Sequence, residues 1–143
     1  MNKIKLFLLV FCLISIIGCA TGQLAWTPQQ REAITTRIYN HGYDKVFDAL
    51  LNRLKSKGMP VLSADKQNGI IATDYVSAGG VVWGTGKQKL NINITKLNDF
   101  QTKVALYIHV EGYSDTLGMA MTDDLIDEKH YEELFKKIDE ELQ

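Results

Sequence analysis

Three hydrophobic spacings follow one another along the chain. Leu6 to Ile17 is a run of twelve residues without a charge. From Tyr43 to Lys57 the apolar positions Val46, Phe47, Leu50, Leu51 and Leu54 recur at helical spacing, while Lys45, Asp48, Asn52, Arg53 and Lys55 fall on the other side, so an amphipathic helix is predicted there. Gly58 and Pro60 supply its stop. Beyond them the period drops to two, with Leu90, Ile92 and Ile94 alternating with Asn91, Asn93 and Thr95. Val104, Leu106, Ile108 and Val110 likewise alternate with Ala105, Tyr107, His109 and Glu111. One apolar and one wet face is what an antiparallel sheet covered on a single side requires.

Four strands are thus predicted at Pro60–Ala64, Ile70–Val76, Gln88–Leu97 and Thr102–Tyr113, with a fifth, earlier one at Ala33–Asn40. Asp65 to Gly69 is a hairpin turn by composition, and Asn98 to Gln101 another connection. Ser77–Lys87 and Ser114–Thr122 are expected as loops. A second helix is expected from Asp123 to Leu142, with Tyr131, Leu134, Phe135, Ile138 and Leu142 as its apolar stripe. Following chain direction from element to element, the first strand can pair antiparallel with the last. The expected fold is α+β: a single antiparallel five-stranded sheet in the order 2-3-4-5-1, with both helices on one face. The same tracing brings Ser77–Lys87, Gly58–Met59, Ser114–Thr122 and the segment before the domain to one pole.

The N-terminal apolar run follows Lys3 and Lys5 and has the length of a signal-peptide core, short of the roughly 20 residues a spanning helix needs. It ends in Ile16-Ile17-Gly18-Cys19, which resembles the lipobox of bacterial lipoproteins. That resemblance implies cleavage before Cys19 and a covalent lipid on its sulfur. Three segments follow: a signal peptide over 1–18, an acylated cysteine with a short tether over 19–32, and one α+β domain over 33–143. Loss of Lys3 and Lys5 would take the basic count from 16 to 14 against 17 acidic residues, a net charge of −3. Each buried CH₂ contributes roughly 0.8 kcal/mol, so two or more acyl chains anchor firmly. Ala20 stands where Asp would mark inner-membrane retention in enterobacterial lipoproteins. The resemblance therefore implies the outer membrane, with the domain facing the periplasm.

Tyr43-Asp44-Lys45-Val46-Phe47, then Leu50, Leu54, Gly58 and the Asp65–Ile71 turn, resemble the start of a helix-grip domain of the BamC family of the barrel-assembly machinery. The likeness covers about residues 33 to 143 and lies in the order of elements. It implies the helix-grip arrangement and transfers no functional residue.

Composition and chemistry narrow the function. A net charge of −1 offers no cationic field for nucleic acid. Both cysteines, Cys12 and Cys19, precede the domain, which leaves it no thiol for a disulfide, a metal or a nucleophile. Gly80 to Lys87 has the wrong glycine spacing for a phosphate loop, and Gln88 stands where Ser or Thr is needed. His41, His109 and His130 lack ligand spacing, and the acidic pairs 123–124, 127–128 and 132–133 fit a helix start and its exposed face. No catalytic residue, metal site or cofactor is expected beyond the lipid on Cys19. The candidate contact residues are Met59, Val81, Val82, Trp83, Leu117, Met119 and Met121, adaptable apolar side chains among small neighbours at the predicted pole. A non-enzymatic envelope lipoprotein is the resulting expectation, an accessory or assembly factor acting through an envelope protein partner. The alternative is a carrier or sensor with a small apolar ligand between the helices and the sheet.

Overall fold

A computed structural model describes residues 26–77, 86–114, 119–124 and 127–143, with the side chains of 113–114 and 119–123 outside that description. In chain order the elements are α1 (Pro28–Thr35), β1 (Thr36–Tyr39), α2 (Tyr43–Ser56), β2 (Val61–Asp65), β3 (Ile70–Thr73), β4 (Val76–Ser77), β5 (Gly86–Lys96), β6 (Thr102–Ser114), β7 (Met119–Asp124) and α3 (Glu128–Leu142). The sheet runs β1-β6-β5-β3-β2, antiparallel throughout, with β4 added on β5 and β7 on β6. This is the α+β fold and the strand order expected from the alternation.

The spine is the β5–β6 hairpin. Its rungs Leu90–Ile108, Ile92–Leu106 and Ile94–Val104 put six buried side chains on one face. Val46, Phe47, Leu50 and Leu54 of α2 and Tyr131, Phe135, Ile138 and Leu142 of α3 pack on that face in one cluster, so helical and strand periodicities meet in a single core. The intervening rungs Lys87–Glu111, Lys89–His109 and Asn91–Tyr107 form the opposite, uncovered face. Ile38 and Ile70 stand on that face too, partly exposed among its polar groups.

Both flanks of the spine are broken at the same rung. On one side β3 gives way to β4 across Asp74 and Tyr75, and on the other the register of β7 ends at His109 while that of β1 resumes at Ala105. Two ladder N–H groups lose backbone partners there, and buried side chains take them. Thr73 Oγ1 accepts from Leu90 N–H at 2.9 Å, and Tyr131 Oη accepts from Ile108 N–H at 3.1 Å. A buried unpaired donor would cost about 1–3 kcal/mol; these hydroxyls avoid that.

The structure departs from the sequence expectations in four places. Residues 28–32, expected as tether, begin α1, because Pro28 sits in its first turn and Thr27 and Gln30 form a reciprocal capping box. β1 accordingly spans only Thr36–Tyr39. Met119 and Met121, expected in a loop, lie on β7, since the 13-residue β6 leaves an edge that this segment pairs with. Asp123 and Asp124 therefore end a strand, and α3 starts at Glu128, capped by Asp127, whose side chain accepts from His130 N–H at 3.3 Å. Finally, Ile70–Val76 is interrupted as described above, and β2 carries a bulge at Leu62 that leaves this side chain exposed.

Candidate functional site

An apolar groove of about 130 Å³ opens between α2, α3 and the sheet. On α2 and its C-cap it is lined by Leu50, Arg53, Leu54 and Lys57, which the spacing i, i+3, i+4, i+7 brings to one side. The helix then closes in a Schellman motif: Gly58 N–H donates to Lys55 O at 3.0 Å and Met59 N–H to Leu54 O at 3.0 Å, with Gly58 at φ 67°. That turn delivers the half-buried Met59 beside Leu54 at the groove. From α3 come Leu134, Lys137 and Ile138, and the floor is Leu90, Ile92 and Leu106.

The end of α3 is pinned to α2 by Lys45 Nζ donating to Leu142 O at 2.7 Å and by the Arg53–Glu141 ion pair at 3.0 Å. Arg53 is thereby engaged. Lys57 and Lys137, both exposed, stand at the mouth with no ion pair among the described residues. The groove thus joins an apolar floor to a cationic rim.

A second cluster lies on the uncovered face, where the long hairpin extends past the buried rungs. Tyr75 Oη donates to Glu111, Lys87 Nζ lies 2.9 Å from Glu111 and 4.4 Å from the Tyr75 ring centroid, and His109 stacks edge-on against Tyr75. His109 Nδ1 is 3.2 Å from Asp124 of β7, and Arg31 of α1 approaches the same carboxylate at 3.5 Å. The Tyr75 and Lys87 hydrogen bonds hold the Glu111 carboxyl below its usual range. This network ties β4, β5, β6, β7 and α1 together, so His109, placed by the alternation on the wet face of its strand, is a structural link. His41 and His130 lie elsewhere, and among the described residues no three His, Cys, Asp or Glu side chains form a metal-holding group.

Of the candidate contact residues, Met59 reaches the groove. Met119 and Met121 are on β7, at the end of the spine where β6 turns back. Val81, Val82, Trp83 and Leu117 lie outside the described residues, as does Cys19. The strand ends that carry these connections do come together: Ser77 pairs with Lys87, Lys87 with Glu111, and Ser114 with Met119. The cationic rim was missed in the sequence, although Arg53 and Lys57 flank Leu54 one turn apart in a way that marks a charged border to an apolar stripe. No protein-family model matches the chain, and no curated protein matches it.

Proposed function

We propose that the chain is a non-enzymatic envelope lipoprotein, anchored by a lipid on Cys19 and acting as an accessory or assembly factor through contacts with an envelope protein. The observation that carries this reading is Cys19 directly after Gly18 at the end of the charged start and the Leu6–Ile17 run. The shared end of the β4–β5 and β6–β7 connections supports a contact pole, and the sheet order with its helices on one face is consistent with the helix-grip likeness. Outer-membrane placement facing the periplasm follows from Ala20 by the same resemblance.

Cys19→Ala moves the protein out of the membrane fraction or leaves it unprocessed, and mass spectrometry of the native protein finds acyl chains on Cys19. An unmodified Cys19 with unchanged membrane fractionation refutes the anchor. Photocrosslinkers at Ser77 and Ser114 in intact cells capture a protein neighbour, and deleting Val81–Trp83 abolishes capture; no neighbour and no effect of the deletion refute the contact pole. A second reading, a carrier or sensor for a small apolar ligand, is favoured by the open groove between helices and sheet.

A further inference from the structure

We infer that the groove binds a medium-chain carboxylate, a free fatty acid of about six to eight carbons, a ligand class that deepens the carrier reading and rests on it. Two features select this ligand. The volume, about 130 Å³, approaches that of the roughly 150 Å³ apolar cavity known to hold benzene. It therefore buries a short alkyl segment, and the rest of any longer ligand would project into solvent. Ile92 and Leu106 form an apolar floor that offers an alkyl chain no polar partner, so the ligand's polar group must sit at the mouth.

The charge at the mouth then decides between ligands of equal chain length. Arg53 is neutralised by Glu141 at 3.0 Å, whereas Lys57 and Lys137 are unpaired among the described residues. The mouth carries a net positive charge. It suits a carboxylate, is indifferent to an alcohol and repels an amine. The lysines come from two different helices, so a carboxylate between them would also bridge α2 and α3.

The test titrates octanoate, octanol and octylammonium into the chain that begins at residue 19 and carries Cys19→Ala, which lacks both the lipid and the Leu6–Ile17 apolar run and so keeps the sample free of detergent. The methyl NMR signals of Leu54, Ile92, Leu106 and Leu134 report occupancy. Octanoate is expected to shift these signals and to bind about three- to ten-fold more tightly than octanol, the range two partly screened contacts allow. Octylammonium is expected to bind most weakly. Lys57→Gln with Lys137→Gln, both at exposed positions, erases the preference for octanoate without changing the thermal midpoint. Met59→Trp fills the mouth and abolishes the shifts; should that variant fail to fold, the lysine pair still decides. Equal binding of octanoate and octanol, or tighter binding of octylammonium, overturns the carboxylate while leaving an apolar-ligand groove. No response of the groove methyls to any probe overturns both. Neither result bears on the anchor, which Cys19 decides.

Discussion

Gly69 and Gly58 both have left-handed backbone, at φ 70° and 67°, yet replacing them should have very different consequences. A Cβ at Gly58 meets nothing within 4 Å. Gly58→Ala therefore carries only the cost of a left-handed non-glycine residue, about 1–2 kcal/mol. A Cβ at Gly69 would stand 2.0 Å from Ile94 O and 3.1 Å from Tyr43 Oη, where an ordinary C···O contact is about 3.3–3.6 Å. Ile94 cannot retreat freely. Its N–H donates to Gly69 O at 2.7 Å, and its side chain is buried opposite Val104. Tyr43 is held as well, with its Oη donating to Lys66 O at 2.6 Å.

Relieving the clash breaks the Gly69–Ile94 hydrogen bond and disturbs its neighbour at Tyr43, each worth about 0.5–1.5 kcal/mol. Added to the backbone term, Gly69→Ala should cost about 2–5 kcal/mol. For a domain of this size that is a fall in Tm of roughly 8–20 °C, against about 4–8 °C for Gly58→Ala. Asparagine separates the two causes, since it tolerates left-handed backbone but carries the same Cβ. Gly58→Asn should be close to neutral and Gly69→Asn still severe. Urea unfolding followed by circular dichroism measures all four variants, with unchanged m-values confirming a common unfolding reaction. If Gly69→Ala falls within about 0.5 kcal/mol of Gly58→Ala, steric exclusion by β5 is refuted.

Three further predictions concern polar groups. Tyr131→Phe should destabilise by about 1–3 kcal/mol because Ile108 N–H loses its acceptor. Tyr39→Phe should be neutral or stabilising, because the buried Tyr39 hydroxyl has no hydrogen-bond partner among the described residues and burial pushes its phenol far above the ordinary range. Thermal denaturation of the pair tests this, and a reversed order refutes the assignment. Asp65, Asp99 and Glu111 are held below their ordinary range, the first by Asn68, the second by Lys96 and the third by Tyr75 and Lys87. Depressed carboxyls contribute stability above their unfolded values near pH 4 and lose it as pH falls through the folded ones. Glu111→Gln should therefore lower Tm at neutral pH and match the native chain in strong acid; a gap that persists in acid refutes the link.

How much of this was legible follows from how each feature is encoded. Alternation in 88–97 and 102–113 names a buried face, and any sheet that buries Leu90, Ile92 and Ile94 must bury their partners Ile108, Leu106 and Val104. Spacing in 43–57 names a helix whose stripe needs that face. Pairing and layer order follow from those two facts and short connections. Local chemistry was harder to weigh. Pro28 is a breaker inside a helix and a starter in its first turn, and the deciding residue is Thr27 with its partner Gln30. Leu117, Met119 and Met121 repeat with period two, a strand signal hidden by the acidic pair that follows. A pocket between helices and sheet was expected only as the alternative, and its volume and cationic rim were not legible, because they depend on where α3 lands on α2, which the Lys45–Leu142 and Arg53–Glu141 contacts fix.

The broken rung at Leu90 and Ile108 explains why one hairpin serves two environments. Below it, the side chains on one face meet helices and are buried. Above it, β4 and β7 replace β3 and β1 as neighbours, and the Tyr75, Lys87, His109, Glu111 and Asp124 side chains hold the strands together from the uncovered face. An uninterrupted edge would need no hydroxyl from Thr73 or Tyr131. Because Tyr131 belongs to α3 and Thr73 to β3, the two flanks are registered to the spine at one level. Leu90, which donates to Thr73, also forms part of the groove floor. A ligand that presses on that floor therefore bears on the same rung from which the polar half of the hairpin begins.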